Sequence, residues 1–228
     1  MDHEQPIQAV IIGASGGIGA ALAAELERRG QRVRRLGRRT LPALDLLDEA
    51  SIARAAAETG PGQRLVLDAT GFLHDGRFQP EKSFRQLDPA HMARSFALNA
   101  TGPALLMKHF LPLLARDGRA VFATLSARVG SITDNRLGGW TSYRAAKAAL
   151  NQIMRTTAIE LARTRPQAIC VSLHPGTVDT ALSAPFAKAG LEVQPPEQAA
   201  ARLLDVLDGL TPAESGGFFD HHGRPIPF

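Results

Sequence analysis

The sequence is poor in cysteine and in aromatic residues, and each shortage excludes a class of protein. Cys170 is the only cysteine among 228 residues, so no disulfide can form within the chain, and a reducing cytoplasm suits it. Aromatic residues make up 5% of the chain. The formal net charge of +4 therefore comes without a surface of rings on which bases could stack, and we expect no nucleic-acid partner.

Long apolar runs are absent as well. No window approaches the roughly 18–20 consecutive apolar residues of a membrane span, and residues 1–6 are acidic, unlike the basic start of an export signal. Apolar residues make up 44% of the chain and charged residues 21%, as in soluble globular proteins. We expect a cytoplasmic protein without a membrane partner, folded as a single domain over residues 1–228.

A glycine-rich stretch near the N-terminus is the first motif with chemical meaning. Residues 6–12 predict a buried strand, and residues 20–29 predict a helix that Gly30 ends. Between them lies Gly13-Ala14-Ser15-Gly16-Gly17-Ile18-Gly19. Glycines in a strand–turn–helix unit let backbone N–H groups and the helix N-terminus approach a pyrophosphate. The stretch predicts a dinucleotide site, with a simple tight turn as the alternative.

The second predicted strand, residues 31–39, bears on the choice of cofactor. In a dinucleotide-binding fold an acidic residue here binds the ribose hydroxyls, whereas an arginine pairs with the 2′-phosphate of NADP. This sequence has Arg38 and Arg39 and no acid at the position. The pattern favours NADP(H) over NAD(H), unless both arginines are solvated surface charges.

Strand and helix patterns alternate through the rest of the chain. Further strands are predicted over residues 41–48, 64–68, 119–126, 168–173 and 216–219, and helices over residues 49–59, 89–115, 141–163 and 196–209. Asp48 and Asp88 are the expected N-caps of two of these helices. The alternation predicts a doubly wound α/β fold, with a mostly parallel sheet of about seven strands and helices on both faces. Ligands of such folds bind at the carboxyl ends of the strands.

One pair of side chains in the helix over residues 141–163 indicates acid–base chemistry. Tyr143 and Lys147 are four residues apart and therefore share a helix face. An ammonium group near a phenol favours the phenolate and lowers the phenol pKa from its ordinary value of about 10. The pair could transfer protons, or it could be an ordinary exposed contact between neighbouring side chains.

Other polar residues fit either chemistry or local structure. Asn99 lies among apolar neighbours and needs hydrogen-bond partners if buried. Asp68 and Ser126 each end a predicted strand, where such residues commonly bond to loop amides. His221 and His222 are adjacent, so regular structure cannot direct both at one metal ion. We place both histidines on the surface and expect no metal site.

Five motifs in a fixed order resemble the short-chain dehydrogenase/reductase superfamily. They are the glycine stretch 13–19, Asn99 within Leu-Asn-Ala-Thr-Gly, a serine at the end of the strand over 119–126, the Tyr143 and Lys147 pair, and Pro175-Gly176-x-x-x-Thr180. Residues 71–75, 126–132 and 174–180 are similar to the C-factor-like and Sniffer-like carbonyl reductase branch. The resemblance implies a Rossmann fold and a homodimer or homotetramer packed through two long helices.

The resemblance also implies roles for individual residues. The catalytic residues would be Asn99, Ser126, Tyr143 and Lys147. Tyr143 would exchange a proton with the substrate oxygen, Lys147 would bind the nicotinamide ribose and hold down the tyrosine pKa, and Asn99 would support a water-linked proton path. The implied cofactor-binding residues are Gly13, Ser15, Gly16, Ile18, Gly19, Arg38, Asp45, Leu46, Ala69, Thr70, Gly71, Tyr143, Lys147, Pro175, Val178 and Thr180.

The sequence departs from the family pattern at the serine and leaves two functions open. Counted back from Gly130, the family position is Ala127, so Ser126 stands one residue early and Ser131 just follows the glycine. We favour Ser126, with Ser131 as the second choice, because an irregular strand end can redirect a side chain. The leading function is an NADP(H)-dependent carbonyl reductase or alcohol dehydrogenase. The alternative is a dinucleotide-binding signalling or regulatory protein with little or no catalysis.

Overall fold

The computed structural model describes residues 8–186 and 192–228, and one parallel sheet forms its centre. The strands in these residues are β1 (Ala9–Ile12), β2 (Val33–Leu36), β3 (Leu65–Asp68), β4 (Ala120–Leu125), β5 (Ala168–His174), β6 (Thr177–Val178), β7 (Val193–Gln194) and β8 (Phe218–Asp220). Six of them form the sheet, in the order β2-β1-β3-β4-β5-β8, and every neighbouring pair is parallel. The doubly wound parallel fold is confirmed, with six strands rather than about seven.

The residue types of the central strands explain why the sheet is covered on both faces. Every residue of β1 and of β4 is buried, as expected for apolar strands of a parallel sheet. The chain leaves β1 toward β2 on one side and resumes at β3 on the other. This change of direction opens a crevice at the carboxyl ends of β1 and β3, where doubly wound folds bind ligands.

The strand predicted over residues 41–48 is not formed. Side-chain hydrogen bonds hold this segment in turns. The Thr40 hydroxyl lies 2.8 Å from both the Gly37 and the Pro42 carbonyl oxygens, which share its one proton, and the Asp45 carboxylate accepts from the Leu47 amide. Such local bonds compete with strand pairing. Within the described residues the only strand-type pairing of this segment is a single bridge between Gly37 and Ala43.

Helices pack on both faces of the sheet. They are α1 (Gly17–Arg28), α2 (Glu49–Thr59), α3 (Pro89–Phe96), α4 (Gly102–Phe110), α5 (Thr141–Ala162) and α6 (Pro196–Gly209). Helices α1 and α6 share one apolar core, and α2, α4 and α5 share the core on the opposite face. No helix within residues 8–186 and 192–228 is long and apolar enough to cross a membrane.

The predicted helix over residues 89–115 is divided. A π-helical turn, Ala97–Thr101, separates α3 from α4, and a short 3₁₀ turn, Leu111–Leu113, follows Phe110. The π turn carries Asn99 and leads into Gly102, where a Cβ atom would lie 2.8 Å from the Cβ atom of Leu46. The N-caps predicted at Asp48 and Asp88 are confirmed, since each carboxylate accepts from the second following amide.

Candidate active site

The glycine stretch forms a tight turn between β1 and α1. Gly13 has a φ of +82°, and a Cβ atom there would lie 3.0 Å from the Ala69 carbonyl group. At Gly19 a Cβ atom would lie 2.2 Å from the Gly13 carbonyl oxygen, so only glycine fits. Gly16 is the N-cap of α1 and provides no side-chain cap. The first amides of α1, beside the exposed Ser15 and Gly16, are therefore open to an anion.

The loop after β5 reaches the same turn. A Cβ atom on Gly17 would lie 2.8 Å from the Thr180 side chain, so the loop and the start of α1 are in contact. The Pro175 carbonyl oxygen accepts from the Gln194 side chain at 2.7 Å, and Val178 is buried in the small β6–β7 ladder. These bonds give the segment 175–180 a fixed path beside α1.

Pairing with acids divides the arginines around β2 into two groups. Arg28 and Arg29 bond Glu25, Arg35 bonds Glu27, and Arg34 bonds Glu58. By contrast, Arg38 and Arg39 are exposed and form no ion pair within the described residues. They follow Gly37, which lies beside Ser15 of the glycine turn: a Cβ atom on Gly37 would be 3.8 Å from the Ser15 hydroxyl. Two cations at this edge thus remain available to a phosphate.

Two further residues of the implied cofactor site, Asp45 and Leu46, lie in the turned segment after β2. The Asp45 carboxylate accepts from the Leu47 amide at 3.0 Å, and the Asp45 amide donates to the Ser51 hydroxyl at 2.9 Å. Leu46 is buried and packs against Gly102. The Leu46 side chain therefore belongs to the core, and a contact from this residue to a ligand would fall to its backbone.

Asp68 closes the end of β3 by local bonds. Its carboxylate accepts from the Thr70 amide at 2.9 Å, from the Thr70 hydroxyl at 2.6 Å and from the Thr124 hydroxyl at 2.7 Å. Burial raises the pKa of this carboxyl. These bonds hold Ala69, Thr70 and Gly71 in the conformation against which the glycine turn packs. The contacts of Asp68 therefore fit a structural role rather than a catalytic one.

Asn99 clips the next loop to the π turn. Its side-chain amide donates to the Phe72 carbonyl at 2.7 Å, and its side-chain oxygen accepts from the Phe72 amide at 2.9 Å. A third bond, at 3.3 Å, runs to the Ser95 hydroxyl. Asn99 is fully buried, so this pairing answers the need for partners that the sequence predicts.

Tyr143 and Lys147 are both buried, at 9% and 2% exposure, in the first turns of α5. The Lys147 ammonium group donates to the Leu125 carbonyl oxygen at 2.8 Å and lies 5.9 Å from the centre of the Tyr143 ring. Burial lowers the pKa of Lys147 to about 8, and the charge of Asp68 opposes this shift. Burial raises the pKa of Tyr143, the reverse of the direction that the sequence predicts. Loss of water around the phenolate thus outweighs the nearby lysine.

The two candidate serines have different partners. Ser126 is buried, its amide donates to the Leu173 carbonyl at 2.7 Å, and its hydroxyl has no hydrogen-bond partner among the described residues. The Ser131 hydroxyl accepts from the Asp134 amide at 3.1 Å, which uses it in a turn. The available hydroxyl is thus the one that the sequence favours.

An aromatic cluster beside Tyr143 is a feature that the sequence analysis missed. The Trp140 ring lies edge-on to Tyr143 at 6.3 Å and to Phe186 at 5.2 Å, and Phe186 contacts His74 at 5.2 Å. These residues come from three distant segments, so no local pattern in the sequence announces the cluster. It forms an apolar wall along one side of the tyrosine.

Of the two histidines predicted to lie on the surface, His222 is exposed, whereas His221 is only partly exposed. This residue is half-buried, and its ring lies 6.4 Å from that of His174 and 4.1 Å from that of His222. The close approach of Gly176, where a Cβ atom would lie 2.8 Å from the His221 ring, keeps the imidazole against the loop after β5. Burial lowers the pKa of His174 to about 4. Within the described residues no group of three or more His, Cys, Asp or Glu side chains is arranged so that it could hold a metal ion.

Comparison with known proteins agrees with the fold and the motifs. A family model described as enoyl-(acyl carrier protein) reductase matches residues 31–202. C-signal of Myxococcus xanthus is 38% identical over 143 residues, which are 62% of this chain and 81% of C-signal. A 1-hydroxy-2-glutathionyl-2-methyl-3-butene dehydrogenase of Rhodococcus sp. (strain AD45) is 30% identical over 220 residues, or 92% of this chain and 94% of the dehydrogenase.

A solved structure shares the whole fold. The short-chain dehydrogenase/reductase of Burkholderia multivorans, with bound NADP, has a TM-score of 0.82 and 26% identity, covering 98% of this chain and all of that one. The matched model spans most of the sheet and the tyrosine helix, and the similarity to C-signal agrees with the C-factor-like motifs. The chain belongs to the short-chain dehydrogenase/reductase superfamily of oxidoreductases.

Proposed function

We propose that this protein is an NADP(H)-dependent oxidoreductase that transfers a hydride between nicotinamide and a small carbonyl compound or secondary alcohol. The observation that carries the proposal is the buried pair of Tyr143 and Lys147 at the carboxyl end of β4. Lys147 bonds the carbonyl of Leu125, the residue before Ser126, whose hydroxyl has no partner among the described residues. A phenol, an ammonium group and a free hydroxyl meet the needs of proton transfer to a carbonyl oxygen.

The residues around the glycine turn fit a dinucleotide. The start of α1 is uncapped, and the glycines at 13 and 19 allow a turn that a Cβ atom at either position would obstruct. This turn leaves the first amides of α1 accessible to a pyrophosphate. Arg38, exposed and without an ion pair in residues 8–186 and 192–228, would hold a 2′-phosphate. The NADP bound in the Burkholderia multivorans structure supports this choice. When bound, the cofactor supplies or accepts the hydride.

The protein's side chains would supply the proton. In the reduction, the carbonyl carbon gains a hydride and the carbonyl oxygen gains a proton, which the Tyr143 hydroxyl donates. Burial raises the pKa of this phenol, so it holds its proton at neutral pH. The charged form of Lys147 would stabilise the phenolate that remains. The Ser126 hydroxyl would donate to the same carbonyl oxygen and polarise it.

A second candidate is a dinucleotide-binding signalling protein with little or no catalysis. The 38% identity to C-signal favours it.

We further propose a cytoplasmic homodimer or homotetramer, with residues 1–228 as one domain. A groove between α4 and α5, lined by Met107, Leu111 and Ile153 among others, supports an assembly through these helices.

Replacing Tyr143 by Phe tests the main proposal. We expect the wild type to oxidise NADPH with at least one member of a panel of ketones and aldehydes, and Tyr143→Phe to lose about 10²–10⁴ of kcat because the general acid is gone. Binding of NADPH, measured by quenching of the single tryptophan, should be retained in the variant. A wild type that binds NADPH tightly but turns over nothing in the panel would support the signalling role instead.

Replacing Arg38 by Ala tests the cofactor assignment. The variant should bind NADPH more weakly by about 1.5–3 kcal/mol, the value of one charge-assisted hydrogen bond, with no change for NADH. Arg35→Ala is the matched control, because Arg35 is already paired with Glu27 and should leave both affinities unchanged. Calorimetric titration of the wild type and both variants with NADPH and with NADH gives the six affinities. Equal weakening toward NADPH and NADH would refute a phosphate contact.

The two serine variants separate the candidate hydroxyls. Ser126→Ala should lower kcat by about 10²–10³, as expected for loss of one donor to the developing oxyanion. Ser131→Ala should leave kcat within about 3-fold and act on stability, since it removes a turn bond of about 1 kcal/mol. The reverse order would assign the role to Ser131, and no effect on kcat from either would leave Tyr143 as the only donor.

A further inference from the structure

Helix α5 begins without a cap of its own. Its N-cap is Trp140, which has left-handed backbone angles (φ of 52°, ψ of 38°) and provides no side-chain hydrogen bond to the helix. The first amides of a helix have no partner within the helix and need one elsewhere. Tyr143 is in this first turn, so whatever holds the turn also sets the direction of the phenol.

Glu81 provides the missing cap from a distant loop. One carboxylate oxygen accepts from the Ser142 amide at 3.3 Å, and the other accepts from the Ser142 hydroxyl. The Glu81 carbonyl oxygen accepts from the Trp140 amide. A negative charge at this end of a helix is further stabilised by the helix dipole. Glu81 therefore holds both ends of the short segment that leads into Tyr143.

His91 is the buried side chain that lies next to the Glu81 carboxylate. Glu81 and His91 are 2% and 3% exposed, and the His91 Nδ1 atom lies 3.4 Å from the nearer Glu81 oxygen. A buried carboxylate without a partner would be strongly unfavourable. The imidazole is fixed by a parallel contact with the Phe78 ring at 5.1 Å and an edge contact with Phe72 at 6.4 Å. The backbone amide of His91 donates to the Asp88 carboxylate at the start of α3.

The same network reaches Asn99. The Ser142 carbonyl oxygen accepts from the Ser95 hydroxyl at 3.2 Å, and this hydroxyl accepts from the Asn99 side chain at 3.3 Å. Every member of this chain is buried. The network thus joins the loop around Glu81, helix α3, the π turn and the first turn of α5.

We propose that Glu81, paired with His91, is a positioning residue for Tyr143. It acts through Ser142 and Trp140, by fixing the first turn of α5 and with it the direction of the phenol relative to Lys147. The expected effect of Glu81 on turnover rests on the proposed function. Its expected effect on the geometry around Tyr143 does not depend on activity.

The composition of the chain makes the test direct, since Trp140 and Tyr143 are its only tryptophan and tyrosine. In Glu81→Ala we expect kcat to fall by about 10–100-fold, as for a small misplacement of a reacting group, with KM for NADPH within about 3-fold of wild type. The emission of Trp140 should shift to longer wavelength, and the Tyr143 phenol should ionise at lower pH as water enters. Glu81→Gln keeps one acceptor for Ser142 and should lie between wild type and Glu81→Ala in each quantity.

Glu197→Ala is the control, because Glu197 is an exposed first-turn glutamate of α6 and should change none of these quantities. The proposal is overturned if folded Glu81→Ala matches the wild type in Trp140 emission and Tyr143 ionisation, or if only its melting temperature falls. If Glu81→Ala does not fold, Glu81→Gln decides by the same criteria. A wild type without turnover would remove the proposed function, while emission and ionisation would still decide on Glu81.

Discussion

The Lys147 ammonium group donates to the Leu125 carbonyl oxygen at 2.8 Å, and this bond ties helix α5 to the carboxyl end of β4. The turn at Gly130 packs against the same lysine. A Cβ atom on Gly130 would lie 2.8 Å from the Lys147 Cβ atom. Because β4 is central and fully buried, the position of Lys147 is set by the sheet core. Tyr143 lies one turn earlier on the same helix, so its position depends on this bond and on the restraint from Glu81.

Burial shifts the pKa values of Tyr143 and Lys147 in opposite directions. It lowers the pKa of Lys147 to about 8 and raises that of Tyr143, so each group is driven toward its neutral form. In the proposed reaction, a phenol that keeps its proton is in the form that donates to a carbonyl oxygen. Oxidation needs a phenolate, and a positive charge brought near the phenol by an oxidised cofactor would favour it.

The sequence predicts local features well and distant ones poorly. The well-predicted features depend on neighbours within a few residues. They are the N-caps at Asp48 and Asp88, the glycine turn, and the tyrosine and lysine that share a helix face. The apolar residues of the segment 41–48 predict a strand. The hydroxyl and carboxylate hydrogen bonds that hold this segment in turns cannot be inferred from that pattern. The role of Glu81 cannot be recognised from the sequence, because its partner Ser142 is far along the chain and only the fold brings the two residues together.

The most direct test of the account is the ionisation of Tyr143, followed by the ultraviolet absorbance of the only tyrosine in the chain, without and with saturating NADP⁺. We expect no half-ionisation at or below pH ~10, the ordinary phenol pKa, in the free folded protein, because burial raises the pKa of this phenol. With NADP⁺ bound, phenolate should form at lower pH. Half-ionisation near pH ~10 or below in the free protein, as for an exposed phenol, or no response to NADP⁺, would contradict it.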